Sequence, residues 1–218
     1  MELHFDQELT QLKDDLLRMS ALAEQNVAES LKALVVRDPA LARKVDADDN
    51  QLDHLQMDID ERCVQLIALR QPKARDLRFI IVAMKIAAEL ERIGDQAVNI
   101  AHRVEDVSRE PLLKPLVDIP KMAELARGMI HDALDAFVYA KPDAARAVIV
   151  RDEQVDSLNR QVHRELTSFM IEDPHTITRA LALMGIAHNL ERVADHSTNI
   201  AEDVVYLYEG RDIRHQTG

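Results

Sequence analysis

The apolar positions of this chain come back at fixed places. Ala87-Ala88-Glu89-Leu90-Glu91-Arg92-Ile93-Gly94-Asp95-Gln96-Ala97-Val98-Asn99-Ile100-Ala101 recurs one hundred residues later as Ala187-His188-Asn189-Leu190-Glu191-Arg192-Val193-Ala194-Asp195-His196-Ser197-Thr198-Asn199-Ile200-Ala201. Recurring Leu, Ile and Ala at these intervals mark the buried stripe of a helix. Packing explains those residues, but it does not require Glu, Asp and Asn to recur at i, i+4 and i+8 along one stripe of the same helix. A second correspondence, at an offset of 103, places Asp49, Leu52, Asp53 and Leu55 on Asp152, Val155, Asp156 and Leu158, and Asp38-Pro39 on Lys141-Pro142. The chain is a tandem repeat.

Breaks between helices are marked by Asp38-Pro39 and Asp173-Pro174, each an acid able to cap a helix followed by a proline suited to its first turn, and by Gln71-Pro72 and Lys141-Pro142. The pattern predicts helices over 6–37, 40–70, 74–108, 119–140, 142–172 and 175–209, with residues 109–115 as linker and Gly210 as the last stop. At ~1.5 Å per residue, segments of about thirty residues are rods of roughly 45 Å. The expected architecture is all-α: two tandem three-helix bundles, residues 1–110 and 117–218, making six long antiparallel helices side by side.

Composition narrows the class. Hydrophobic residues are 47% of the 218, aromatic residues 3%, Trp is absent and Gly numbers five, so the core is built from Leu, Ile, Val, Ala and Met in helices. The net charge of −12 repels a phosphate backbone, which argues against a nucleic-acid partner. Cys63 has no second cysteine to pair with and sits in the apolar run Cys63-Val64-Gln65-Leu66-Ile67, as expected of a buried, inert thiol in a reducing compartment. No apolar run approaches the ~18 residues of a membrane span, and the acidic start, Met1-Glu2-Leu3-His4-Phe5-Asp6, is unlike a signal peptide. A cytoplasmic protein with no membrane insertion is expected.

Four acid pairs share i, i+4 spacing: Asp49/Asp53, Glu91/Asp95, Asp152/Asp156 and Glu191/Asp195. Like charges at that spacing cost an isolated helix a few tenths of a kcal/mol, so repetition of the pattern points to a cation that offsets the repulsion. In an antiparallel hairpin turning near Pro72, Asp53 faces about residue 92 and Asp49 about residue 96; turning near Asp173, Asp156 faces about 191 and Asp152 about 195. Each half then offers four carboxylates at one level, plus the amide oxygen of Asn99 or Asn199. Such oxygen donors suit hard divalent ions, Mg²⁺ or Mn²⁺, and bridging carboxylates can hold more than one ion, iron included.

Several neighbours carry two readings. Gly94 and Ala194 leave room for a close approach, or serve helix packing. Arg92 and Arg192 form intrahelical ion pairs, or contact a phosphate or a partner. His188 and His196 replace Ala88 and Gln96 of the first copy and are expected to be surface histidines. Met84 and Met184 are expected in the core.

The two copies of Glu-Arg-x-x-Asp-x-x-x-Asn-Ile-Ala, at Glu91–Ala101 and Glu191–Ala201, with both accompanying Asp pairs, resemble the signature of the PhoU family, and the likeness extends over essentially the whole chain. It implies a cytoplasmic, often homodimeric regulator rather than an enzyme. Such a protein reports phosphate sufficiency by acting with the ATPase subunit of the phosphate ABC transporter and with the membrane sensor histidine kinase. The family's acidic motifs fall here on Asp49, Asp53, Glu91, Asp95, Asp152, Asp156, Glu191 and Asp195, with Asn99 and Asn199 in the matching motif. Some relatives hold iron or zinc clusters there, others lighter ions or none.

Two other classes also gather carboxylates on helices. All-α metal-dependent phosphohydrolases use them around Mg²⁺, but with tighter Glu-x-x-Glu and Glu-x-x-Asp spacing, and no Lys or His repeats beside both sites here as a general base. Ferritin-like di-metal proteins need Glu-x-x-His on the bundle helices, which the paired sites lack.

Overall fold

The computed structural model describes residues 2–213, with side chains from Phe5 onward; residue 1 and residues 214–218, the outer ends of the two repeats, lie outside the described residues. Six helices follow one another: α1 Glu2–Val36, α2 Pro39–Arg70, α3 Ala74–Ser108, α4 Asp118–Val138, α5 Pro142–Glu172 and α6 Ile177–Glu209. All regular structure among the described residues is helical, as the periodicity predicts.

The punctuation works through the backbone. Asp38 is extended, its carboxylate accepts from Ala40 N at 2.8 Å, and Pro39 opens α2 without needing a donor of its own. Gln71, at φ 47°, ends α2 in the left-handed region that glycine usually fills. Gly210, at φ 71°, closes α6 at no such cost. Asp173 caps a 3₁₀ turn, Pro174–Thr176, rather than α6 itself, so the last helix begins at Ile177, two residues later than expected. At the other end of the chain α1 begins four residues earlier than the pattern suggested. The linker is tied down by Arg37, which donates to Ser108 O at 3.0 Å, and by Arg179, which donates to Pro111 O at 2.7 Å.

Stripe width decides where each helix sits. α2 buries Val45, Leu52, Ile59 and Leu66 at a spacing of seven, with Ala42 and Cys63 near its ends, and α5 buries Val148, Val155 and Val162 at the same spacing, with Ala145 and Leu166 near its ends. A stripe that narrow covers one side of a helix and leaves the rest to water. α3 and α6 instead carry a wide buried stripe, with pairs such as Ile86/Ala87 and Ile186/Ala187 at turn after turn. They occupy the centre. α2, α3, α6 and α5 pack in that order as one layer, while α1 lies against α2 and α3, α4 against α5 and α6, and α1 touches α4 behind them.

α3 and α6 run antiparallel. Lys85 pairs with Asp203 at 2.9 Å, Glu89 with Asn199 at 3.0 Å, and Arg103 lies over Gly185, each pair equidistant from the level of Gly94 and Ala194. The two repeats are therefore related by an approximate two-fold axis through that level. Across the same boundary Phe79 of α3 stacks on Phe137 of α4 with ring centroids 5.3 Å apart, and within the second repeat Tyr208 Oη donates to Phe137 O at 2.7 Å. Phe137 is fully buried. Phe137→Ala should lower the unfolding free energy by about 3–5 kcal/mol through lost transfer energy and a cavity at the repeat boundary, read from urea unfolding followed by circular dichroism.

Candidate metal centres and the link between the repeats

The helical hairpins bring the acid pairs to one level in both halves. Asp49 lies against α3 at Gly94, where an added Cβ would collide with its Oδ1 and with Leu52 Cδ1. The close approach that a small residue permits there is that of Asp49 and Leu52 themselves. Asp49 is half-buried and feels Asp53, Asp95 and Glu91. Burial first, and those neighbouring charges next, push its carboxyl up to about 6. Glu91 is raised for the same reasons, burial leading and Asp95 and Asp53 following.

The second cluster repeats the arrangement. Asp152 is pushed up to about 6 by burial and then by Asp195, Asp156 and Glu191, and its Oδ1 is buried with no hydrogen-bond partner. Burial likewise raises Asp156 and Asp195, and the like charge of Glu191 raises each further. All eight acids thus stand in two groups of four. As the side chains stand, no three His, Cys, Asp or Glu among the described residues are gathered tightly enough to hold one ion in common.

The two clusters differ in what surrounds them. In the first, buried Asn26 of α1 donates to Asp49 Oδ1 at 3.3 Å. In the second, exposed His188 lies 2.7 Å from Glu191 Oε2, and Arg160 is 3.7 Å from Asp156. Asn99 is exposed and its side chain makes no hydrogen bond among the described residues, whereas the Asn199 amide donates to Glu89 Oε2 at 3.0 Å. Arg92 makes the intrahelical pair, with Glu89 at 2.7 Å; Arg192, with Asn189 in the corresponding place, has no ion pair among the described residues.

His196 corrects an expectation. It is buried, 8% exposed, because position 196 faces α3, and its Nδ1 lies 2.7 Å from Glu89 Oε2. Burial alone would raise Glu89, but the hydrogen bonds from His196 and Asn199 bring it below the usual carboxylate range. Neither residue signals this cross-repeat link from its own helix alone. The available signal was the departure from the repeat: Glu89 against Asn189, and His196 against Gln96. Cys63 is buried as expected, its thiol pushed up to about 12 by burial. The clefts of about 620 and 560 Å³ lie at the far end of the first bundle, lined by residues such as Phe5, Leu69 and Glu8, and none of the eight acids lines them.

The PhoU domain model matches residues 16–104 and again 119–204. The chain belongs to the PhoU family. It is 42% identical over 207 residues to the phosphate-specific transport system accessory protein PhoU homolog of Rhizobium meliloti, covering 94% of this chain and 87% of that one. It is 39% identical over 212 residues to the homolog of Pseudomonas putida, covering 97% and 83%. The crystal structure of PhoU from Pseudomonas aeruginosa superposes with a TM-score of 0.91 at 38% identity, covering 95% of this chain and all of that one. The two matched segments of this PhoU protein each contain one complete acid cluster. Among the described residues no helix is long and apolar enough to cross a membrane.

The raised carboxyls set a pH dependence. Asp49 and Asp152 start from 3.8 and reach about 6 in the folded chain, so between those values the folded state binds more protons than the unfolded one, and stability falls as pH rises through that window. Asp49→Asn with Asp152→Asn should melt above wild type at pH 7 in chelator. The gap should close as the pH is lowered to about 4, read by scanning calorimetry.

Proposed function

We propose that this PhoU protein is an accessory regulator of phosphate transport that holds divalent cations in its two acid clusters and acts by binding rather than by catalysis. The observation that carries this reading is the match of nearly the whole chain to phosphate-specific transport accessory proteins. The donor chemistry supports the cation. Asp49, Asp53, Glu91 and Asp95 in one half, and Asp152, Asp156, Glu191 and Asp195 in the other, offer only oxygen, with Asn99 and Asn199 adding an amide oxygen to each set. Hard ions such as Mg²⁺ and Mn²⁺ match that set, and iron or zinc would have to rely on bridging carboxylates alone, without thiolate. The half-buried acids with raised carboxyls, and the unpartnered buried Oδ1 of Asp152, are what a cation would relieve.

The partners in this reading are the ATPase subunit of the phosphate ABC transporter and the sensor histidine kinase, met in the cytoplasm by a homodimer. Both clusters are built on the helices of one layer, α2 and α3 in one half and α5 and α6 in the other, so bound cations would make that part of the protein less negative and less repulsive to an acidic partner. Partner contact would then follow metal occupancy. Asp95→Asn with Asp195→Asn should lower Mn²⁺ affinity in both halves by at least about ten-fold while leaving helix content unchanged, measured by calorimetry and circular dichroism. Equal affinity in wild type and variant would defeat the metal assignment. Deleting the gene should leave a phosphate-starvation reporter switched on in phosphate-rich medium; normal shut-off would defeat the regulatory one.

A further inference from the structure

Glu89 belongs to the first repeat, yet its carboxylate faces the second. Oε2 accepts from Asn199 Nδ2 at 3.0 Å and lies 2.7 Å from His196 Nδ1, while Oε1 takes Arg92 Nη1 at 2.7 Å. Glu89 is mostly buried, so these contacts are held by packing as well as by charge. Asn199 stands one turn beyond Asp195 on the ligand stripe of α6. An amide whose NH₂ is held by a carboxylate has its carbonyl oxygen turned away from that carboxylate, and the oxygen is the atom a hard cation takes. Outer carboxylates of this kind orient ligands and strengthen binding.

The symmetry-related place lacks this device. Position 89 corresponds to Asn189 and position 196 to Gln96. Both are buried, Asn189 at 6% and Gln96 at 3% exposure, and Asn189 Nδ2 and Gln96 Oε1 have no hydrogen-bond partner. Neither supplies a charge to hold Asn99. The first cluster is braced differently: Asn26 occupies Asp49 Oδ1, the oxygen whose counterpart on Asp152 is unpartnered. In the first half a protein donor thus competes for a ligand atom that the second half leaves to a cation.

We infer that Glu89 is a positioning residue of the second acid site, supplied across the repeat boundary, which presets Asn199 as a ligand and makes the two sites unequal, the second binding a hard divalent cation more tightly than the first. The inference rests on the reading that the acid clusters hold cations.

Mn²⁺ titration of the full chain, followed by calorimetry and electron paramagnetic resonance, tests it. Asp95→Asn isolates the second site and Asp195→Asn the first; the former protein should bind more tightly. Adding Glu89→Ala should cost about ten-fold in the Asp95→Asn background and less than two-fold in the Asp195→Asn background. With Asn199→Ala already present, Glu89→Ala should cost nothing further, because the effect runs through that amide. His196→Gln, which cuts the other arm of the link and leaves the Glu89–Asn199 contact, should keep the second site near full affinity. Equal losses at both sites would mean a mere change in local charge, and equal losses from His196→Gln and Glu89→Ala a loosened interface; either overturns the inference. Two equal sites in wild type overturn it as well while leaving the cation reading intact, whereas no Mn²⁺ binding by wild type removes both.

Discussion

The antiparallel contact of α3 with α6 is the constraint on which the rest depends. Each helix is the third of its bundle, and each is buried on more sides than its own bundle can cover. Only the other copy supplies the missing surface, so the two repeats share one hydrophobic core in place of two small ones. The same contact fixes the rotation of both helices about their axes. Once Leu90 and Leu190 point inward, Glu91/Asp95 and Glu191/Asp195 are turned toward α2 and α5, where Asp49/Asp53 and Asp152/Asp156 meet them.

Placing four carboxylates at one level opposes folding, and the fold supports the arrangement from below. Leu52 and Val155, between the Asp pairs, are fully buried, as are Ile93 and Val193 beside Glu91 and Glu191. Apolar burial at these alternating positions, worth about 1.5–3 kcal/mol per large side chain, exceeds the few tenths that each like-charge pair costs within a helix. The acids are thereby held in a partly dehydrated setting where a cation interacts with them more strongly than in water.

The copies keep their cluster acids and differ at the boundary. The eight acids and two asparagines are kept in both halves, whereas the contacts across the two-fold axis are not: Lys85 meets Asp203 where the related pair is Gly185 and Arg103, and Glu89 meets His196 where the related pair is Asn189 and Gln96. An approximate symmetry that joins unlike residues fixes which half is which.

Helix positions, the tandem plan and the meeting of each acid pair with its partner were legible because they follow from local rules: a period of 3.6 residues, prolines and acids at the turns, and the mirror register of a hairpin about its turn. Asp49 beside Gly94 and Asp156 beside Glu191 lie where that register puts them. The burial of His196 and the role of Glu89 were not legible. His196 and Glu89 are 107 residues apart, and Asn199 and Glu89 110. No turn connects α3 to α6, so nothing local sets which side of one meets which side of the other. That choice is made by the whole core, when two wide apolar surfaces left over from separate bundles find that they cover each other best in one antiparallel register.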